Sequence, residues 1–157
     1  MAPTATAAPG PNATQGVWPV SSHLVVAGFD PPLADWLAGH RGVDLSATTG
    51  EPVRAIVHGR VSFAGRVAGK PVVAISVAGD RRLTYEPVVP LVATGQDIAA
   101  GQVIGRVAAT GGHCGGRVGC LHVGLIDGSG YRDPLSLLRR PIVLKPVARS
   151  RLGSPEL

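Results

Sequence analysis

At 157 residues the chain is long enough for one domain around a single core. Aromatic residues make up 4% of it, while 22 glycines and 14 prolines accompany a largely Val, Ala, Leu and Ile apolar content, a composition of short strands joined by turns. The formal charge of +5 suits an anionic partner, but the basic residues are scattered and almost without aromatics, which argues against nucleic acid.

Residues 1–16 are mainly Ala, Pro and Thr with no apolar periodicity, and read as a flexible linker. They hold no apolar signal-peptide core, and the chain has no membrane-length apolar run. The linker and the two cysteines favour an exported chain whose targeting segment has been removed. Asn12-Ala13-Thr14 matches a glycosylation acceptor, a triplet common by chance. A folded domain is expected over 17–140 and a basic tail over 141–157.

Within the domain, Leu24–Ala27 reads as a strand and Phe29-Asp30-Pro31-Pro32 as a turn, with His23 exposed and Trp36 packed. Gly39-His40-Arg41-Gly42-Val43-Asp44 then places an imidazole and a carboxylate four residues apart, sharing a face in either a helix or a strand. Val43, Leu45 and the glycines favour strand or loop. Alone, this pair fits a satisfied His and an exposed Asp at a turn as well as it fits a site.

Three strands are expected at Pro52–Val57, Arg60–Ala64 and Val72–Val77, with His58 at an exposed hairpin turn and Gly65–Gly69 turning between the second and third. A further strand covers Leu83–Tyr85, after which Pro87 and Pro90 interrupt any ladder. Val92–Val107 carries two glycine turns. Thr110–Gly119 is a glycine-rich loop without the Lys-Ser/Thr ending of a phosphate loop. A helical turn is expected at Leu135–Leu138.

In Cys120-Leu121-His122-Val123-Gly124-Leu125, alternation puts Cys120, His122 and Gly124 on one face and the aliphatic residues on the other. A nitrogen donor from this strand can join His40 and Asp44. Such an N, N, O set leaves the fourth position on zinc open for water, the arrangement of a catalytic site. Cys114 and Cys120, the only cysteines, are expected to form a disulfide in an exported protein. That would remove Cys120 as base or nucleophile, roles that need a thiolate.

At these residues the chain resembles zinc metallopeptidases of family M23, the lysostaphin and LytM type, which cleave peptide bonds in bacterial peptidoglycan. Their pattern is H-x-x-x-D early and H-x-H late. His40 and Asp44 match the first, His122 the second His of the late motif. The likeness runs from about Trp18 to Leu138 and includes Gly101-Gln102-Val103-Ile104-Gly105 and Asp133-Pro134-Leu135. It implies an all-β, sandwich-like antiparallel domain with a groove, zinc held by His40, Asp44 and His122, an extracytoplasmic location, and peptidoglycan as partner, with anionic wall polymers suited to the basic charge. Two positions depart from it. Cys120 stands where the family has the first His of H-x-H, and Pro87 where it has the His of Tyr-x-His-Leu. In the family those imidazoles flank the metal-bound water as base and oxyanion stabiliser. His113, on the pinned loop, is the candidate catalytic replacement; Tyr85 and Glu86 are further candidates by position. The rival function is a non-catalytic wall-binding or regulatory module of the same fold. A distant alternative, the biotinyl/lipoyl carrier hammerhead suggested by Val92–Val107, needs a modifiable Lys at a hairpin tip, and Lys70 lacks the flanking residues.

Overall fold

A computed structural model describes residues 15–34, 36–109, 114, 119–128 and 130–138. In chain order the strands are β1 (Val25–Ala27), β2 (Gly42–Ser46), β3 (Pro52–Arg54), β4 (Gly59–Val67), β5 (Lys70–Val77) and β6 (Arg81–Glu86). They continue as β7 (Val88–Pro90), β8 (Asp97–Ile98), β9 (Val103–Val107), β10 (Cys120–Asp127) and β11 (Gly130–Arg132), and a 3-10 helix follows at Pro134–Leu137. A large sheet runs β1-β2-β10-β6-β5-β4-β8, with β11 also on β10, and a small sheet runs β3-β9-β7. Every strand pairing among the described residues is antiparallel.

Alternation along the central strands decides which face is dry. Val43 and Leu45 of β2, Leu121, Val123 and Leu125 of β10, Leu83 and Tyr85 of β6, and Val73 and Ile75 of β5 are buried in one cluster. The cluster also takes in Val53, Val88, Ile104 and Val107 of the small sheet, so the core lies between two sheets, as in a sandwich. The opposite face of the large sheet carries the residues in between: Asp44, His122, Gly124, Glu86 and Thr84.

Several boundaries differ from the sequence expectation. β4 continues through Gly65 to Val67, because Gly65 pairs with Val72 rather than turning. The turn is confined to Ala68 and Gly69, both at positive φ (48° and 82°), as a two-residue hairpin requires. β3 stops at Arg54, where the chain leaves β9 to cross to the large sheet. His58 is exposed, but in that crossover and not in a hairpin. Pro87 separates β6 from β7, whereas Pro90 is accommodated as the last residue of β7, opposite Gly105. Trp36, expected to pack, is 86% exposed. His23 is exposed and stacks on Trp18 with ring centroids 4.4 Å apart.

The two ends of the described domain meet. The Gly16 amide donates to the Leu137 carbonyl at 2.8 Å, and the Gln15 side-chain amide donates to the Leu138 carbonyl at 3.0 Å. Residues 1–14, most of the expected linker, and the expected tail lie outside the described residues.

Tyr85 is fully buried, and its hydroxyl accepts the Ile56 amide at 3.0 Å. Burial pushes its ionisation well above the ordinary tyrosine value, and the hydrogen bond offsets that only in part, so it stays neutral. Removing the hydroxyl leaves a buried N–H without its acceptor. Tyr85→Phe should therefore cost about 1–3 kcal/mol, measured by denaturant unfolding, with an unchanged m-value.

Candidate metal centre

Three segments converge on one edge of the open sheet face. The loop from β1 to β2 is closed by an isolated antiparallel bridge, in which Asp30 and His40 exchange amide-to-carbonyl bonds of 3.0 and 2.7 Å. This fixes the backbone of His40 just before β2 begins. Asp44 sits in the middle of β2, directly opposite His122 of β10. Direct partners in an antiparallel pair point to the same face, so the register alone brings carboxylate and imidazole together.

The donor atoms form a tight triangle. His122 Nδ1 lies 2.7 Å from Asp44 Oδ1, and His40 Nε2 lies 3.2 Å from both. Asp44 is 3% exposed, and it is the one buried charged residue among those described. A carboxylate taken out of water needs close positive or hydrogen-bonding partners. The surroundings also set the ring orientations. His40 Nδ1 is 2.6 Å from the Gly28 carbonyl, which can only accept, so Nδ1 donates there and Nε2 is the ring nitrogen turned toward Asp44 and His122. The His122 ring is laid over the backbone of Gly42. A Cβ at residue 42 would fall 2.6 Å from His122 Nε2 and 2.3 Å from the Val123 carbonyl oxygen.

This donor set fits zinc. Bond lengths of about 2.0–2.1 Å at tetrahedral angles separate donors by about 3.3–3.4 Å. Two edges of the triangle are already near that value, and the third opens slightly to accept the ion. Two imidazoles and one carboxylate leave one tetrahedral position free of protein ligand.

Around this triangle the other candidates separate. Tyr85 points into the core and is excluded from the site. Glu86 is half-buried on the open face, directly across from His122 on the side away from Asp44. Cys114 and Cys120 form the expected disulfide, their Cα atoms 6.0 Å apart, and their sulphurs lie within 4.8 Å of an Asp44 oxygen. Pro87 is buried at the end of β6. His113 lies outside the described residues. From the donor triangle the floor of the open face continues through Gly42, Gly124, Thr84 and Ala74, direct neighbours on successive strands. It ends at a cavity of about 390 Å³ bounded by Phe63, Val72, Ala74, Arg82 and Thr84. Reading Gly42 only as a breaker of helix missed its part. The signal was its place two residues before Asp44, matched by Gly124 two residues after His122.

The model of peptidase family M23 matches residues 38–134, a span that contains His40, Asp44 and His122. The chain belongs to peptidase family M23. An uncharacterized protein of Mycobacterium tuberculosis, Rv2891, is 45% identical over 138 residues, covering 83% of this chain and 55% of that protein. The chain thus spans about half the length of the curated relatives it matches. Among solved structures, Helicobacter pylori Csd3 superposes with a TM-score of 0.63 at 30% identity, over 78% of this chain and 34% of Csd3. The catalytic domain of the antimicrobial peptidase lysostaphin from Staphylococcus simulans gives 0.61 at 26% identity, over 73% of this chain and 91% of that domain. A zinc-containing peptidase from Vibrio cholerae gives 0.63 at 23% identity, over 84% of this chain and 40% of that one, and supports the fold.

Gly42→Ala tests the seat of His122. Overpacking of this kind costs about 1–3 kcal/mol, and displacement of the ring should also weaken metal binding. At Gly28 a Cβ would meet nothing within 4 Å, so Gly28→Ala should change unfolding by less than about 0.5 kcal/mol and leave metal binding alone. Thermal unfolding with and without zinc distinguishes the two.

Proposed function

We propose that this domain is a zinc-dependent metallopeptidase-like domain acting on the peptides of cell-wall peptidoglycan, with turnover slowed by its substitutions at positions 87 and 120. The observation that carries the reading is the donor triangle of His40 Nε2, Asp44 Oδ1 and His122 Nδ1, with edges of 3.2, 3.2 and 2.7 Å, at one end of a floor of small residues. The chemistry zinc supplies when bound there is polarisation of a peptide carbonyl and activation of water. His40 is held in the ligand tautomer by Gly28, and His122 is seated by Gly42. Asp44 supplies the negative charge that retains the cation. The small residues leave room for an extended peptide, and the half-buried disulfide forms the wall on the Cys120 side. A disulfide suits an extracytoplasmic compartment, and the +5 charge suits anionic wall polymers.

Neither Pro87 nor disulfide-bonded Cys120 can move a proton or donate to an oxyanion. A positioned proton acceptor typically adds about 10²–10⁴-fold and an oxyanion donor about 10²–10³-fold. His113 is our candidate for one of these roles, since the Cys114–Cys120 bond ties its loop to β10. The same substitutions favour a second reading, a wall-binding module that keeps groove and metal without turnover.

One zinc per chain is expected. Asp44→Ala and His122→Ala should each lose most of it while staying folded, measured by metal analysis after dialysis and by circular dichroism. Stoichiometric zinc in both variants would show the ligands to be misassigned.

The zinc-loaded parent should hydrolyse purified peptidoglycan at least about 10²-fold more slowly than a relative with both imidazoles. His113→Ala should abolish what remains. Restoring the imidazoles, with Pro87→His and Cys120→His on a Cys114→Ser background, should raise the rate. An inert parent that gains activity on restoration supports the wall-binding reading. A parent that cleaves at an ordinary rate and ignores His113→Ala rejects this account of the site.

A further inference from the structure

Two donor sets share Asp44. One is the triangle with His40 and His122; the other is Asp44 with the sulphurs of Cys114 and Cys120, all three atoms within 4.8 Å of one another. Cys120 is 4% exposed, lies on the same strand face as His122 two residues away, and pairs with Ser46 as His122 pairs with Asp44. Its sulphur is therefore held on the Asp44 side of the triangle by the sheet itself, with Cys114 bonded to it.

We propose that Cys120 is a latent metal ligand, masked by the disulfide, and that reduction closes the zinc site with its thiolate. The inference rests on the zinc reading above. In the oxidised chain neither sulphur is a thiolate, and only thiolates bind zinc well. Two-electron reduction by a dithiol breaks the S–S bond and forms two protein thiols, while the dithiol becomes a disulfide. The freed Cys120 sulphur can then turn about its Cα–Cβ bond. Around tetrahedral zinc, with a Zn–S bond of about 2.3 Å, sulphur and oxygen donors sit about 3.5 Å apart. The sulphur already lies within 4.8 Å of an Asp44 oxygen, so it closes that edge with a movement of about 1 Å, and the turn carries it along the shared strand face toward His122. On coordination the thiol proton leaves to solvent, and the thiolate takes the position that water would occupy. Four protein ligands make a closed, structural-type site, so the reduced form binds metal more tightly and offers no place for a nucleophilic water.

Cobalt(II) in place of zinc gives a readout independent of turnover, because thiolate bound to cobalt absorbs strongly in the near ultraviolet and nitrogen or oxygen donors do not. The reductant is a trialkylphosphine, which consumes one water, leaves as its oxide and brings no competing thiol. The oxidised, cobalt-loaded protein should show visible ligand-field bands alone. Reduction should add the near-ultraviolet band and tighten metal binding roughly tenfold or more, and re-oxidation should reverse both. Cys114→Ser should show the band without reductant, and Cys120→Ser should lack it in every state. If the oxidised protein binds cobalt but reduction adds no band, Cys120 is not a ligand and the zinc reading stands. A band retained in Cys120→Ser also overturns the assignment. Failure of the oxidised protein to bind cobalt at all removes the zinc reading and this inference together. Reversal in the unmutated chain keeps the test decisive should either variant fold poorly.

Discussion

The register of β10 between β2 and β6 is the constraint on which the site depends. His122 faces Asp44 on one side and Glu86 on the other only because Leu121, Val123 and Leu125 are all held on the core face. Slipping by one residue would bury the imidazole among aliphatic side chains and expose three large apolar ones, which the hydrophobic effect opposes strongly. The apolar half of the strand thus fixes the chemistry of the polar half. The same constraint explains the glycines: once His122 is fixed above β2, its ring needs the space that Gly42 leaves.

Much of this could be read in the chain itself. Strict alternation in Cys120–Leu125 showed a strand, its faces, and which of them carries His122. The four-residue spacing of His40 and Asp44 needed only that the two residues share a face, although His40 turned out to precede β2, held by its bridge to Asp30. Pairing partners were out of reach, because register depends on contacts far apart in sequence. That is why Glu86 could not be placed beside His122, nor Tyr85 assigned to the core, before the strands were paired. The boundaries that moved, β3 and β4, lie where the chain crosses between sheets or where one glycine continues a ladder, and local composition does not tell these cases apart. The pairing of the two cysteines was legible from their number; their closeness to Asp44 was not.

The disulfide gives the site an unusual asymmetry. On the β2 side the His40–Asp44–His122 triangle is held by hydrogen bonds and strand pairing. On the loop side it is bounded by a covalent bond between two sulphurs. One wall is therefore set by folding and the other by the redox history of the chain.

The meeting of Gly16 with Leu137 has a consequence for how such a domain is carried in a larger protein. Chain entering and leaving at one point can be spliced into a loop of another domain, or joined in tandem, without rerouting any strand. A pull on the two flanking segments would load the Gly16–Leu137 and Gln15–Leu138 contacts first, at the edge of the fold. The central strands, with Asp44 and His122 on them, stand behind that clasp and would feel tension only after it had opened.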